Sequence, residues 1–133
     1  MFLIQTDYTF TQKNVNEYVI GSGTVRLVGD NEGEGHVEVL RWDTSYTYYE
    51  WRSLCHTTWN SRNAIVTCRQ LGYLTGEAGM IYGIPDGALS YWTDHIDCDG
   101  TEYSVEDCFT DETEDNCDFT KAATVKCYIK TGV

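Results

Sequence analysis

Six cysteines, at positions 55, 68, 98, 108, 117 and 127, constrain this chain more than any other feature. None stands in the Cys-x-x-Cys pair that a zinc knuckle or a thioredoxin-like redox site requires, so structural disulfides are the reading that accounts for them. The stretch Cys98-Asp-Gly-Thr-Glu102-Tyr-Ser104-Val105-Glu-Asp-Cys108 sets a short polar loop between two of the six, and the even count lets every thiol be oxidised. Many pairings satisfy six cysteines, and spacing alone does not choose among them. Such bridges persist in oxidising compartments, so the chain is expected to be extracellular, either secreted or the ectodomain of a larger protein.

At 133 residues the chain fits one domain with a core of its own. The opening run Met1-Phe-Leu-Ile4 is too short for a signal-peptide core or a bilayer span, and no membrane insertion is expected. No Asn-x-Ser/Thr sequon occurs, so N-glycosylation is not expected.

The net charge of −12 is concentrated: eleven Asp and Glu residues lie between residues 94 and 118, where Lys and Arg are absent. That field repels nucleic acid and anionic lipid and attracts cations or basic partner surfaces. A solvated acidic loop that only keeps the protein soluble is the competing reading. Asp94, Asp97, Asp99 and Glu102 are the residues that would build an oxygen site for Ca2+, although Glu102 equally suits holding the Cys98–Cys108 loop by hydrogen bonds. No other cofactor is expected.

Along the chain, Tyr8-Thr-Phe10-Thr alternates as a strand does. Gly21-Ser-Gly23 then reads as a flexible joint, which makes residues 1–24 an arm and 25–133 the domain. Thr24-Val-Arg-Leu-Val28 and His36-Val-Glu-Val-Leu40, separated by a polar glycine turn, predict a hairpin. Ser61 to Leu71 predicts the one helix, capped by Ser61, with Ala64, Ile65, Cys68 and Leu71 on one face and Gly72 at its end. Gly76, Gly79, Gly83, Pro85 and Gly87 predict a long irregular connection. Tyr91-Trp92 with Ile96, and then Ala122 to Ile129, predict further strands.

Between Arg41 and Trp51 lie Trp42, Tyr46, Tyr48, Tyr49 and Trp51, five large aromatics interleaved with Ser, Thr and Asp. Rings that pack on the sheet would give this pattern. So would a contact surface, in which rigid amphipathic rings supply area at low entropic cost. Tyr8 and Phe10 of the arm are the other aromatics placed to meet a partner.

In this order the elements resemble the scavenger receptor cysteine-rich domain from about Val25 to Cys127. The opening strand is Val25-Arg-Leu-Val-Gly29 and the second Val37-Glu-Val39. Trp51-Arg-Ser-Leu-Cys55 with Trp59 resembles the family's Trp-Gly-Thr-Val-Cys segment. Ala64-Ile-Val-Thr-Cys68-Arg-Gln-Leu-Gly72 matches its helix, and Trp92 through Cys108 its Cys-x-Gly-x-Glu-x-Ser-Leu-x-x-Cys block, with Val105 in place of Leu. The resemblance implies an α+β fold, a curved antiparallel β-sheet cradling one main α-helix. It also implies three disulfides, Cys55 with Cys117, Cys68 with Cys127, and Cys98 with Cys108. The family's eight-cysteine form has one more bridge, whose two positions are Gly33 and Tyr73 here.

Many members bind calcium through two acids just after the cysteine equivalent to Cys55 and one shortly before the last cysteine. Here those places hold His56-Thr57-Thr58 and Asp118-Phe-Thr-Lys121-Ala122, which leaves that site largely without carboxylates. The Trp42–Glu50 segment is longer than the family's hairpin, and the arm has no family counterpart. Both are places where a partner could dock.

No enzyme is expected. His36, His56 and His95 are scattered, and successive residues of a strand point to opposite faces, so Asp94 beside His95 makes a poor dyad. Two functions remain: a non-catalytic extracellular module for protein binding, adhesion or recognition, and a structural subunit whose arm adds to the sheet edge of a second copy. The partner is then a protein ligand, basic or neutral in charge, or another copy of the chain.

Overall fold

A computed structural model describes residues 8–14, 17–22 and 24–130, with side chains from Thr24 to Ile129. The strands are β1 (Tyr8–Asn14), β2 (Glu17–Ser22), β3 (Val25–Gly29), β4 (Glu34–Asp43), β5 (Tyr48–Leu54), β6 (Tyr73–Ile81), β7 (Tyr91–Trp92), β8 (Asp94–Ile96), β9 (Phe109–Thr113) and β10 (Ala122–Lys130). The helix α1 spans Ser61–Gln70, and a 3-10 turn spans Val105–Cys108.

The main sheet runs β1-β2-β3-β4-β10-β6. Strand β4 organises it because its ten residues accommodate two partners along one flank. Its first residues pair with β10, as in His36 with Thr124, and its later ones with β5, from Glu38 with Ser53 to Asp43 with Tyr48. Strand β3 fills the other flank, Val25 opposite Val39 and Leu27 opposite Val37. The period-2 alternation puts Val25, Leu27, Val37, Val39, Ala123 and Val125 on one face, each at most 2% exposed. Against that face pack Ala64, Val66 and Cys68 of α1 and Leu71 at its C-cap, whereas Ile65, expected on the buried face, is only partly buried and Val66 takes its place. Each large aliphatic side chain buried there contributes about 1.5–3 kcal/mol.

The helix lies where the sequence places it, but its cap is Asn60: the side-chain oxygen accepts the Asn63 amide at 3.1 Å, and Ser61 is the first helical residue. Gly72, at φ +94°, lets the chain leave the helix in the left-handed region closed to most side chains. Asn63 is fully buried and ties the helix to the next segment. It donates to the carbonyls of Thr58 and Ile96, each at 3.2 Å, and accepts the Cys98 amide at 2.9 Å.

Three bridges close the domain: Cys55–Cys117, Cys68–Cys127 and Cys98–Cys108, with sequence separations of 62, 59 and 10 residues. Gly33 and Tyr73 face one another, and a Cβ added at Gly33 would stand 3.1 Å from the Tyr73 hydroxyl. The ring of Tyr73, itself buried, occupies the space between the two positions that the family's eight-cysteine form bridges.

Two sequence expectations are corrected. Residues 73–81 are not part of an irregular connection: they form β6, paired to β10 from Ala122 with Ile81 to Lys130 with Tyr73. The glycines that suggested a loop are packing requirements. A Cβ at Gly76 would collide with the Cys68 sulfur and lie 3.0 Å from the Lys126 carbonyl, and one at Gly79 would lie 2.8 Å from the Thr124 hydroxyl. Nor do Gly21 and Ser22 form a joint. They belong to β2 and pair with Arg26 and Val25, so the arm is a hairpin laid on the β3 edge of its own sheet; Gly23 lies outside the described residues.

Gly76→Ala is expected to lower stability by about 1–3 kcal/mol, the usual result of overpacking, because both atoms it would strike are fixed by a disulfide and a strand. Denaturant melts of the oxidised protein measure it. An unchanged midpoint would show that the helix and β6 are less tightly apposed than described.

Candidate binding surface

The β4–β5 hairpin carries its aromatic residues beyond the core. Trp42 and Tyr49 are register partners, and their rings meet edge to face at 5.2 Å; Tyr46 and Tyr48 stack at 5.9 Å. All four are between 46% and 65% exposed, so they form a surface and not a buried cluster. Large aromatics left this open on a hydrogen-bonded hairpin are unusual outside contact sites.

The tip is held in shape by Asp43, which is nearly buried. Its carboxylate accepts the amides of Ser45, at 2.8 Å, and Tyr46, at 3.3 Å, and receives Arg52 at very close range. Burial works to raise the Asp43 pKa, but the hydrogen bonds from Arg52 and from the two amides outweigh it, and the carboxyl titrates below its ordinary range. Arg52 also reaches Glu50 at 2.5 Å and lies over the Trp92 ring at 4.2 Å. Burial lowers the Arg52 pKa, yet its bonds to Glu50 and Asp43 more than compensate, and the guanidinium is held more firmly protonated than usual.

Beside this hairpin runs an acidic ribbon made by β8 and β9, with Asp94 opposite Thr113 and Ile96 opposite Phe109. Arg41 joins the two: it reaches Asp94 at 3.1 Å and lies over the rings of Phe109, at 4.0 Å, and Trp92, at 5.1 Å. Arg26 is engaged in the same way, over Trp51 at 4.2 Å and paired with Glu38 at 2.6 Å. Burial raises the Glu38 pKa, but hydrogen bonds from His36 and Arg26 prevail and hold it below the ordinary range. Three arginines are thus spent on internal rings and carboxylates. Asp97, Asp99, Asp107, Asp111, Glu112 and Asp115 remain exposed to set the charge of the outer surface.

Neighbouring Asp94 and His95 do not face each other. Asp94 turns to Arg41, whereas His95 sits between Glu112, 3.2 Å from Nδ1, and Glu114, 3.1 Å from Nε2. The shallow pocket beside His95 is lined by Thr58, Asn60, Asp97, Thr110 and Glu112, and no disulfide sulfur or activated nucleophile lies in that lining.

Asp94, Asp97, Asp99 and Glu102 are not gathered at one point. Asp94 is engaged by Arg41. Asp99 accepts the Thr101 amide and hydroxyl at 2.8 and 2.6 Å, bonds that draw its pKa down against some burial. Glu102 accepts the amides of Asp99, at 2.9 Å, and Gly100, at 3.1 Å. Its local grouping is with Cys98 and Cys108, whose sulfurs are joined to each other. At the family's calcium position, the Cys55–Cys117 bridge brings the segments beginning at His56 and Asp118 together. The carboxylate supplied there, Asp118, is bonded to the Thr120 amide and hydroxyl and has the Lys121 ammonium at 3.6 Å. A hard cation needs several oxygen ligands, and these residues do not fit one.

Of the partner-facing residues expected from sequence, Trp42, Tyr46, Tyr48 and Tyr49 come together. Tyr8 and Phe10 lie in β1 at the far end of the sheet, and their side chains fall outside the described residues. Sequence reasoning missed Asp43, Arg41 and Arg52. The flanking pairs Arg41-Trp42 and Trp51-Arg52 could have suggested them, since a guanidinium beside rings at a strand base is a common stacking arrangement.

The family profile described as "Scavenger receptor cysteine-rich domain" matches residues 27–128. Mouse macrophage receptor MARCO is 36% identical over 104 residues, which is 77% of this chain and 18% of that protein. Chicken lysyl oxidase homolog 2 is 34% identical over 107 residues, 79% of this chain and 13% of that protein. The chain therefore spans less than a fifth of each of these relatives. Among solved structures, the dimeric form of the SRCR domain of mouse MARCO superposes with a TM-score of 0.54 at 34% identity, covering 71% of this chain and 86% of that one.

Because the Asp43 pKa is depressed in the folded state, its carboxylate contributes stability that is complete above the unfolded value of about 3.9 and is lost as pH falls through the folded value. In acid melts between about pH 5 and pH 2, wild type is expected to lose more stability than Asp43→Asn, and the difference curve isolates this group from the other acids. Parallel curves for the two proteins would remove Asp43 as the anchor of the tip.

Proposed function

Since the chain belongs to the scavenger receptor cysteine-rich family, an extracellular domain type used for recognition, we propose that it is a non-catalytic module binding a basic protein through its aromatic hairpin and the adjoining acidic ribbon. The observation that carries this reading is the Arg41 junction, which sets exposed Trp42, Tyr46, Tyr48 and Tyr49 beside the acidic ribbon, in a segment whose Asp97, Asp107, Asp111 and Asp115 are exposed. Rings offer faces to Lys and Arg as well as apolar contact, and the carboxylates steer a cationic partner toward them.

Polyanions fit poorly. Among the described residues, Arg26, Arg41 and Arg52 are already paired internally and Lys121 meets Asp118, which withdraws them from the basic cluster that sulfated glycan, nucleic acid or anionic lipid would need. No helix among the described residues is long and apolar enough to cross a membrane. Binding in this reading does not use calcium, because Asp118 near the family's calcium position and Asp99 and Glu102 of the Cys98–Cys108 loop already accept internal hydrogen bonds. A second reading, assembly of copies through the amino-terminal arm, has the open edges of the sheet in its favour.

The test uses the oxidised chain immobilised against lysozyme and cytochrome c as basic probes and heparin as a polyanion, with and without chelator. Both proteins are expected to bind in a salt-dependent manner indifferent to chelator, and heparin not to bind. Replacing Tyr46, Tyr48 and Tyr49 together by Ser should weaken binding at least about tenfold, roughly 1.4 kcal/mol, with an unchanged circular dichroism spectrum. Heparin binding, or undiminished binding by the triple variant, would sink the reading.

A further inference from the structure

We propose that the sheet is completed between molecules, the outer edge of β1 in one copy pairing antiparallel with the outer edge of β6 in the next. Among the described strands, β1 pairs only with β2 and β6 only with β10, so one sheet presents two open edges at its opposite ends. An open strand edge offers a row of amides and carbonyls to any other strand, and proteins ordinarily guard such edges with Lys, Pro or a bulge. Strand β6 has none of these guards. Its nine residues include no proline and no basic residue, its register to β10 is regular through Tyr128, and Leu74, Met80 and Ile81 are 53%, 41% and 39% exposed, followed by Tyr82 at 76%.

Complementarity selects a second copy as the occupant. The only charged residue of β6 is Glu77 and the only charged residue of β1 is Lys13. Over the regular part of β1, an antiparallel register sets Phe10 opposite Met80, Thr9 opposite Ile81 and Tyr8 opposite Tyr82, and it brings Lys13, which stands at the register shift between Gln12 and Asn14, to the level of Glu77. Opposite charges and aromatic–aliphatic pairs are what stabilise neighbouring strands. The symmetric alternative, two β6 edges fully overlapped, places Glu77 opposite Glu77, a like-charge pair that opposes it. A β1-to-β6 contact leaves a free β6 on one copy and a free β1 on the other. It therefore propagates head to tail into rings or open chains, where a two-fold contact would stop at a dimer. The inference does not rest on the aromatic surface, because neither the hairpin tip nor the acidic ribbon takes part.

Light scattering on the full oxidised chain over a concentration series tests it. Wild type is expected to rise in mass with concentration from the 15.1 kDa monomer. Lys13→Glu and Glu77→Lys should each return the chain to monomer, and the two together should restore association. Met80→Lys, which touches only the accepting edge, should also give monomer. Circular dichroism and disulfide mapping establish that each variant is folded. A wild type that stays at 15.1 kDa throughout, association indifferent to Glu77→Lys and Met80→Lys, or a double variant that fails to recover would each overturn the proposal.

Discussion

The bridge between Cys68 of α1 and Cys127 of β10 is the joint on which the rest of the molecule depends. Strand β10 lies between β4 and β6, so tying the helix to it fixes the helix over the middle of the sheet and not at a margin. Closing loops of about sixty residues, as this bridge and Cys55–Cys117 do, removes about 4 kcal/mol of unfolded-chain entropy apiece, whereas the Cys98–Cys108 loop removes about 3. The sulfur of Cys68 then dictates glycine at position 76 of the neighbouring strand. One covalent contact thereby sets the helix position and the glycine at position 76 of β6.

A second constraint is electrostatic. With nine basic against twenty-one acidic residues, the chain cannot neutralise its own surface, and it spends three of its five arginines inside. Arg26, Arg41 and Arg52 each lie over an aromatic ring and each bond a carboxylate, so their long side chains work as packing elements that knit β3, β4, β5, β8 and β9 together. Six acids of the 94–118 segment, Asp97, Asp99, Asp107, Asp111, Glu112 and Asp115, are left facing water. That division of labour turns a compositional excess into an oriented acidic surface beside an aromatic one.

Much of this was legible because it depends on local pattern. The alternation of β3 and β4 and the apolar face of α1 gave their elements away, and the cysteine-bearing motifs carried the family resemblance, which a profile match over residues 27–128 now shows. The Asn60 cap was read one residue late, since Asn60 and Ser61 are both good capping residues and only the Asn63 amide distinguishes them. Strand β6 was hidden for a deeper reason. Its glycines answer to Cys68 and Thr124, residues distant in sequence or across a strand, and to local reasoning they look like turns. The joint expected at Gly21-Ser22 was similarly misread, because a glycine-flanked segment looks detachable until its register against β3 is known.

By itself the sequence determined an acidic, cysteine-bridged chain with an aromatic-rich hairpin, which follows from residue type and spacing, and its cysteine-bearing motifs carried the resemblance that implied the fold. Only the tertiary structure decided that the aromatics of that hairpin are exposed, that Asp43 and Arg52 shape its tip, and that Arg41 places it against the acidic ribbon. It alone also showed Asp94, Asp99 and Glu102 of the candidate calcium set to be engaged by separate partners. Exposure, ring stacking and hydrogen-bond partners are properties of residues brought together from different strands, and no local pattern encodes where a guanidinium will find its carboxylate.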